Sequence, residues 1–429
     1  MKSLQLDVDI AFSLSILQKI IFSGANERSF REATSALEML ADLEISTQRV
    51  ERITERIGSE RVSERNKATA AWEKKPLVEK TPEVHSCCTD VAMVQYDGGR
   101  MQVMDRSIPK EELTEKQTHW RETKVGSLYW MKSDKHAVDP APVVPEKFLD
   151  PPAVLQMVTE IKAKKCAGSS PLKEKEVERN DSAEEKSDES KNETRTRSQV
   201  TKRPGAPELE SRICVLSSLC DSQSFGKMLA SSALSEGLYE AERKAFVADG
   251  SESNWGIWKR CFSDWTPILD FVHAMTYIFT AAMAGRDLEA GWEVYVRWLT
   301  WAWHGEVERV IAELAARQSE LGRPEKEEPT TSPRQIVAEA LTYLQNQQSR
   351  MRYDEYRRVG LPITSCYIES TVKQMNARVK GTEKFWSPRG GEALLQLRAD
   401  YLSDNESMPQ FWSRRQRQQT GRRPTKTKT

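Results

Sequence analysis

Three acidic residues, far apart in the chain, are of the type that handles phosphoryl chemistry: Asp97 in QYDGG, Asp249 in FVADG and Glu369 in CYIES. Carboxylate oxygens are hard donors, and a cluster of them suits Mg²⁺ or Mn²⁺. Two such ions, ~3.5–4 Å apart, can activate a water or a DNA 3′-hydroxyl and stabilise the leaving oxygen of an in-line displacement. Around Glu369 the residue types add to this. Lys373, Asn376 and Lys380 follow it at i+4, i+7 and i+11, so helical spacing puts them on one face, with Arg378 close by. Ile368, Val372, Met375 and Val379 keep the same spacing one position earlier, an apolar stripe facing inward. The same pattern also describes an amphipathic surface helix with an acidic residue near its N-terminus.

The acidic residues need elements to carry them. VAMVQYDGGRMQVM predicts a strand ending at Asp97, a Gly98–Gly99 turn and a second strand; THWRETKVGSLYWM predicts a third. A helix follows over about 224–240, then the strand KAFVADG ending at Asp249, a tryptophan-bearing helix, and the strand PILDF. Trp265 to Gly285 is apolar enough to suggest a membrane span, but Asp270 and His273 inside it are costly in lipid, so it reads as a strand running into a helix. A helical block over 276–360 precedes the Glu369 helix. Its Trp292, Trp298, Trp301 and Trp303 read as core, and Gly305 as a break between helices.

Ahead of this core, Ser29 and Glu32 make a capping-box pattern for a helix through Leu40. A second helix is expected from Thr47 to Ile57, ending at Gly58. Arg49, Arg52 and Arg56 share one face of it, which suits a helix-turn-helix DNA reader, while the interleaved Glu51 and Glu55 suit a plain helical hairpin as well.

Composition sets the outer bounds. The chain has 429 residues with Lys+Arg and Asp+Glu both at 64, so net charge selects no partner and distribution must. Residues 139–212 are dominated by Pro, Glu, Lys, Ser and Asn and are expected to be disordered. The segment from Phe411 to Thr429 holds seven basic residues and no acid, a tail drawn to polyanions. Seven scattered cysteines form no CxxC pair, and His85 with Cys87 and Cys88 lacks zinc-ligand spacing, which points to a reducing, cytoplasmic setting without a disulfide framework.

Read in order, several motifs resemble the DDE insertion-sequence transposases of the ISKra type, distant relatives of the Mutator-like group. They are SFREATSALEMLADLEISTQRVERITERIG, YDGGR, HWRETKVGSLY, FVADGSESNW, LDFVHAMTY, GLPITSCYIESTVKQMNARVKGTEKFW and ALLQLRADYLS. The resemblance implies an α/β fold: a ribonuclease H-like mixed sheet with an all-helical insertion, behind an N-terminal helical DNA-binding region. It divides the chain into 1–75 (DNA-binding), 76–138 and 213–275 (core), 139–212 (insertion), 276–360 (helical insertion), 361–410 (catalytic Glu helix and C-terminal helix) and 411–429 (tail). It implies Asp97, Asp249 and Glu369 as catalytic ligands of two Mg²⁺ or Mn²⁺ ions, with Asp270 and His273 auxiliary. Asp270 is the competing choice for the second ligand. Lys373, Arg378 and Lys380 would grip phosphates of double-stranded DNA, Arg49, Arg52 and Arg56 would contact it from the N-terminal region, and a homodimer or larger assembly would pair two DNA ends. Thr364, Ser365 and Cys366 stand where the family has Gly-Ser-Gly. Two other readings are a catalytically silent DNA-binding protein and a nuclease that cuts without joining.

Overall fold

The computed structural model describes residues 12–84, 90–104, 119–168, 207–381 and 383–420. In chain order its elements are helices α1 (Leu14–Asn26), α2 (Phe30–Ala41), α3 (Thr47–Lys74) and α4 (Leu77–Lys80), strands β1 (Asp90–Val103) and β2 (Trp120–Lys132), α5 (Pro151–Gly168), β3 (Glu208–Ser218), α6 (Ser222–Ser235), β4 (Arg243–Ala248), α7 (Glu252–Cys261), β5 (Thr266–Leu269), five helices α8 (Phe271–Met283), α9 (Leu288–Trp303), α10 (Val307–Leu321), α11 (Pro333–Gln347) and α12 (Tyr353–Arg358), then α13 (Cys366–Val379), β6 (Phe385–Trp386), α14 (Pro388–Leu402) and α15 (Ser407–Thr420).

The strands form one mixed sheet in the order β3-β2-β1-β4-β5, with β6 pairing the far end of β1. β1 runs antiparallel to β2 and parallel to β4, and β4 runs parallel to β5. The fold is therefore α/β. Two apolar cores pack on the sheet. One joins it to α6, α7 and the helices that follow β5. The other joins the far half of β1 to α1, α2, α3, α13, α14 and α15. No helix among the described residues is long and apolar enough to cross a membrane.

Several expected elements are present. Ser29 Oγ accepts from Glu32 N at 3.1 Å and opens α2. Asp270 separates β5 from α8, so the apolar stretch after Trp265 is a strand and a helix. Trp298 and Trp303 are buried, Trp292 and Trp301 partly so, and Gly305 turns the chain between α9 and α10 at φ 77°.

Four expectations fail. Gly98 and Gly99 make no turn: β1 continues through them, paired with β2 from Asp90↔Lys132 to Gln102↔Trp120. An equally long partner strand satisfies their backbone groups, which outweighs the local turn preference of two glycines. The expected strand THWRETKVGSLYWM is present as β2, but the sheet gains a further strand, Glu208–Ser218, whose first five residues fall in the stretch expected to be disordered. That stretch is also ordered over 139–168, because Val144, Phe148, Val154 and Val158 are buried in the first core. The most charged part, 169–206, lies outside the described residues. Helix α3 does not stop at Gly58 but runs 28 residues to Lys74. A Cβ on Gly58 would lie 2.5 Å from Ala393 O, so the glycine serves the close approach of α3 to α14. Finally, the start of the basic tail is a helix: Phe411 and Trp412 of α15 are buried, and Arg414 and Arg415 pair with Glu64 and Glu60 of α3. Residues 421–429 lie outside the described residues, as do His85, Cys87 and Cys88.

Candidate active site

Asp97 and Asp249 are brought level by strand register. Gln95 of β1 pairs with Val247 of β4 in parallel, and the same register two residues on sets Asp249, just past the end of β4, beside Asp97. Along β1, Gln95, Asp97, Gly99, Met101 and Val103 share a face. Met101, Val103 and Val125, the residue paired with Asp97, join Ile368, Val372, Met375 and Val379 of α13 in one core. Asp97 thus stands on the face along which α13 runs.

Two contacts fix how α13 lies there. Ile368 N donates to Gln95 Oε1 at 3.0 Å, and a Cβ on Gly99 would lie 3.2 Å from Asn376 Oδ1. From Ile368 to Asn376 a helix rises about 12 Å, and from Gln95 to Gly99 a strand advances about 13 Å. Helix and strand therefore run side by side in the same direction. Glu369, next to Ile368 and seven residues before Asn376, lies on the stretch of helix that borders Asp97. All three carboxylates are half-buried.

The start of α13 is held from two sides. Gln95 is fully buried and uses both ends of its amide, Oε1 on Ile368 N and Nε2 donating to Thr364 O at 2.9 Å. Asp270 accepts from Ser365 N at 2.6 Å through Oδ1. These bonds satisfy amides that an N-terminal turn leaves without helical partners.

Asp270 also caps α8: its Oδ2 accepts from His273 N at 2.9 Å and lies 2.7 Å from His273 Nδ1. Burial alone would raise the Asp270 carboxyl, but the hydrogen bonds from His273 and Ser365 hold it below its ordinary value. Burial likewise pulls the His273 imidazole down, and the hydrogen bond and charge of Asp270, reinforced by Asp249 and Asp97, overcome this and push it up to about 9. His273 is thus an imidazolium at neutral pH, sensing both sheet carboxylates. Asp270 is fully buried, with both oxygens engaged inside the protein.

Asp249 is fixed in its own loop. Its Oδ1 accepts from Ser251 N at 3.0 Å and from Asn254 Nδ2 at 2.6 Å. Among the described residues, no three His, Cys, Asp or Glu side chains already enclose a cation-sized point. What the fold sets is the backbone placement of Asp97, Asp249 and Glu369, three hard-oxygen donors on one side of the sheet.

The expected phosphate contacts divide. Lys373 and Lys380 are exposed, Lys373 with its Nζ 3.1 Å from Glu160 of α5. Arg378 is 2 % exposed, donates to Gly24 O and Arg28 O, and lies against the rings of Phe30 and Trp386. Burial pulls its guanidinium down to about 10. Arg378 ties α13 to α1 and is unavailable to DNA. Arg49, Arg52 and Arg56 are exposed on α3, Arg49 over the Phe12 ring and Arg56 3.8 Å from Glu60. That helix packs on α1, α2, α6 and α14, so these arginines form a separate surface.

Sequence reasoning missed Gln95, Asn254, Tyr343 and Gln347. Gln95 left one signal, a lone polar residue in the apolar run VAMVQY. Asn254 left its place in the motif FVADGSESNW, five residues after Asp249, while Tyr343 and Gln347 lie in a helix with nothing in their own segment to link them to an acidic residue. In comparison with known proteins, the chain matches no family model and no curated protein.

Proposed function

We propose that this chain is a DNA transposase of the DDE kind, cutting and joining phosphodiesters at the ends of its own element. The observation that carries this reading is the shared placement of Asp97, Asp249 and Glu369 by the β1–β4 register and the Gln95 and Asp270 bonds to the start of α13. The strand order with β1 central, antiparallel to β2 and parallel to β4, is the order a ribonuclease H-like core requires, and the helical block between β5 and α13 fits the all-helical insertion.

Donor chemistry fits two Mg²⁺ or Mn²⁺ ions held by Asp97, Asp249 and Glu369, which when bound would activate a water or DNA 3′-hydroxyl and stabilise the leaving oxygen. The protein's own groups do the rest. Asn254 and Ser251 N orient the Asp249 carboxylate. Gln95 and Asp270 hold the turn from which Glu369 projects. His273 supplies a fixed positive charge that offsets repulsion between Asp97 and Asp249. Asp270 is fully buried with both oxygens hydrogen-bonded, whereas Asp249 is half-buried, which favours Asp249 as the second ligand. Lys373 and Lys380, both exposed, would contact phosphates, which positions DNA without reading its bases. Arg49, Arg52 and Arg56 offer a second contact surface. Pairing of two DNA ends calls for a dimer or larger assembly.

The test is single replacement of Asp97, Asp249, Asp270 and Glu369 by Ala, with Mn²⁺- or Mg²⁺-dependent nicking of plasmid DNA as the readout. Asp97→Ala, Asp249→Ala and Glu369→Ala are expected to abolish nicking, and Asn254→Ala to lower it about 10–100-fold, as removal of a residue that orients a metal ligand does. Wild-type protein that binds DNA but never nicks it would make the chain a silent DNA-binding protein. Nicking without joining of pre-cut ends would make it a nuclease.

A further inference from the structure

The sheet does not hold Asp249 by itself. The residue lies one position beyond β4, and its backbone is gripped from the helical block. Tyr343 of α11 donates its hydroxyl to Asp249 O at 2.7 Å, and one helical turn later Gln347 Nε2 donates to Gly250 O at 2.9 Å. Each donor is itself fixed. The Tyr343 ring stacks on Tyr277 of α8 with centroids 3.7 Å apart and planes 12° from parallel. Gln347 Oε1 accepts from Arg350 Nη1 at 3.0 Å, and the Arg350 guanidinium sits 4.4 Å over the Trp255 ring of α7, the helix that follows the Asp249 loop. Gly250 has φ 93°, and a Cβ there would lie 2.6 Å from the Tyr343 hydroxyl, so the loop is shaped to take this contact. The block also controls the other side of the site, since its first residue, Asp270, binds Ser365 where the block ends.

We infer that Tyr343 and Gln347 are positioning residues: α11 sets the distance and aim of the Asp249 carboxylate, so the helical block tunes the affinity of the acidic site for a divalent cation. This rests on the metal-site reading of Asp97, Asp249 and Glu369. The hydroxyl of Tyr343 can be removed while its stacked ring is kept, which separates aim from packing.

The experiment is Mn²⁺ binding to the full chain without DNA, followed by the electron paramagnetic resonance of the free ion, alongside thermal unfolding. Wild-type protein should bind Mn²⁺ and Asp249→Ala should lose that binding. Tyr343→Phe should weaken it about three- to tenfold, the size of one net hydrogen bond, with Tm shifted little. Gln347→Leu should act in the same direction, and Thr342→Ala, on the exposed side of α11, should match wild type. Wild-type binding that Asp249→Ala removes but Tyr343→Phe leaves unchanged overturns this inference alone. Absence of Mn²⁺ binding that depends on Asp249 overturns the metal-site reading beneath it.

Discussion

His273 is held as a cation by a buried carboxylate, and that has a consequence for stability. Its pKa rises from 6.5 to about 9 on folding. The unfolded chain binds fewer protons than the folded one between these values, so the contribution is full below about 6.5 and disappears as pH climbs through about 9. Urea unfolding of wild type and His273→Gln should therefore differ by on the order of 2 kcal/mol near pH 6, and the gap should close toward pH 10. A gap that widens with pH would mean the imidazole is neutral in the folded state. At this scale the sequence was partly readable. Asp-x-x-His spacing puts the two side chains one helical turn apart, which is local geometry. Arg378 was misread because Gly24 and Phe30, against which it is buried, come from a remote segment.

Elements show the same division between local and remote causes. The apolar stripe of α13 is visible in its periodicity, and all four of its members are buried. The ends of α3 and of the first strand were not visible, because tertiary partners overrule glycine at both. Gly58 gives a test with an unusual sign. Replacing a mid-helix glycine by alanine ordinarily stabilises by about 0.5–1 kcal/mol. Here the added methyl meets Ala393 backbone, at 2.5 Å from its oxygen, so α3 and α14 must part. Gly58→Ala should lose about 1–3 kcal/mol in denaturant unfolding, and an unchanged or raised midpoint would show that the two helices are not this close. β3 was hidden for a different reason. Its first half, ELES, is polar, and it directly follows a long charged run that masks the strand signal.

Across the whole molecule, the N- and C-terminal helices are one structure. Arg61 of α3 makes a buried pair with Asp400 of α14 at 2.9 Å, Arg65 bonds Gln396 and Glu392, and α15 packs back on α3. The N-terminal helices thus share one core with α13, and whatever they contact is mechanically joined to the helix carrying Glu369. The helical block binds the Asp249 loop and the Ser365 turn. The three acidic positions are 152 and 120 residues apart in sequence, counting from 97 to 249 and from 249 to 369. Loading the protein with Fe²⁺ and adding ascorbate and peroxide generates hydroxyl radicals at the bound ion, and these cut whatever backbone lies around it. The fold described here predicts three cuts, near 97, near 249 and near 369, all suppressed by excess Mg²⁺ and all lost together in Asp249→Ala. Cutting confined to one of these segments, or insensitive to Asp249, would contradict it.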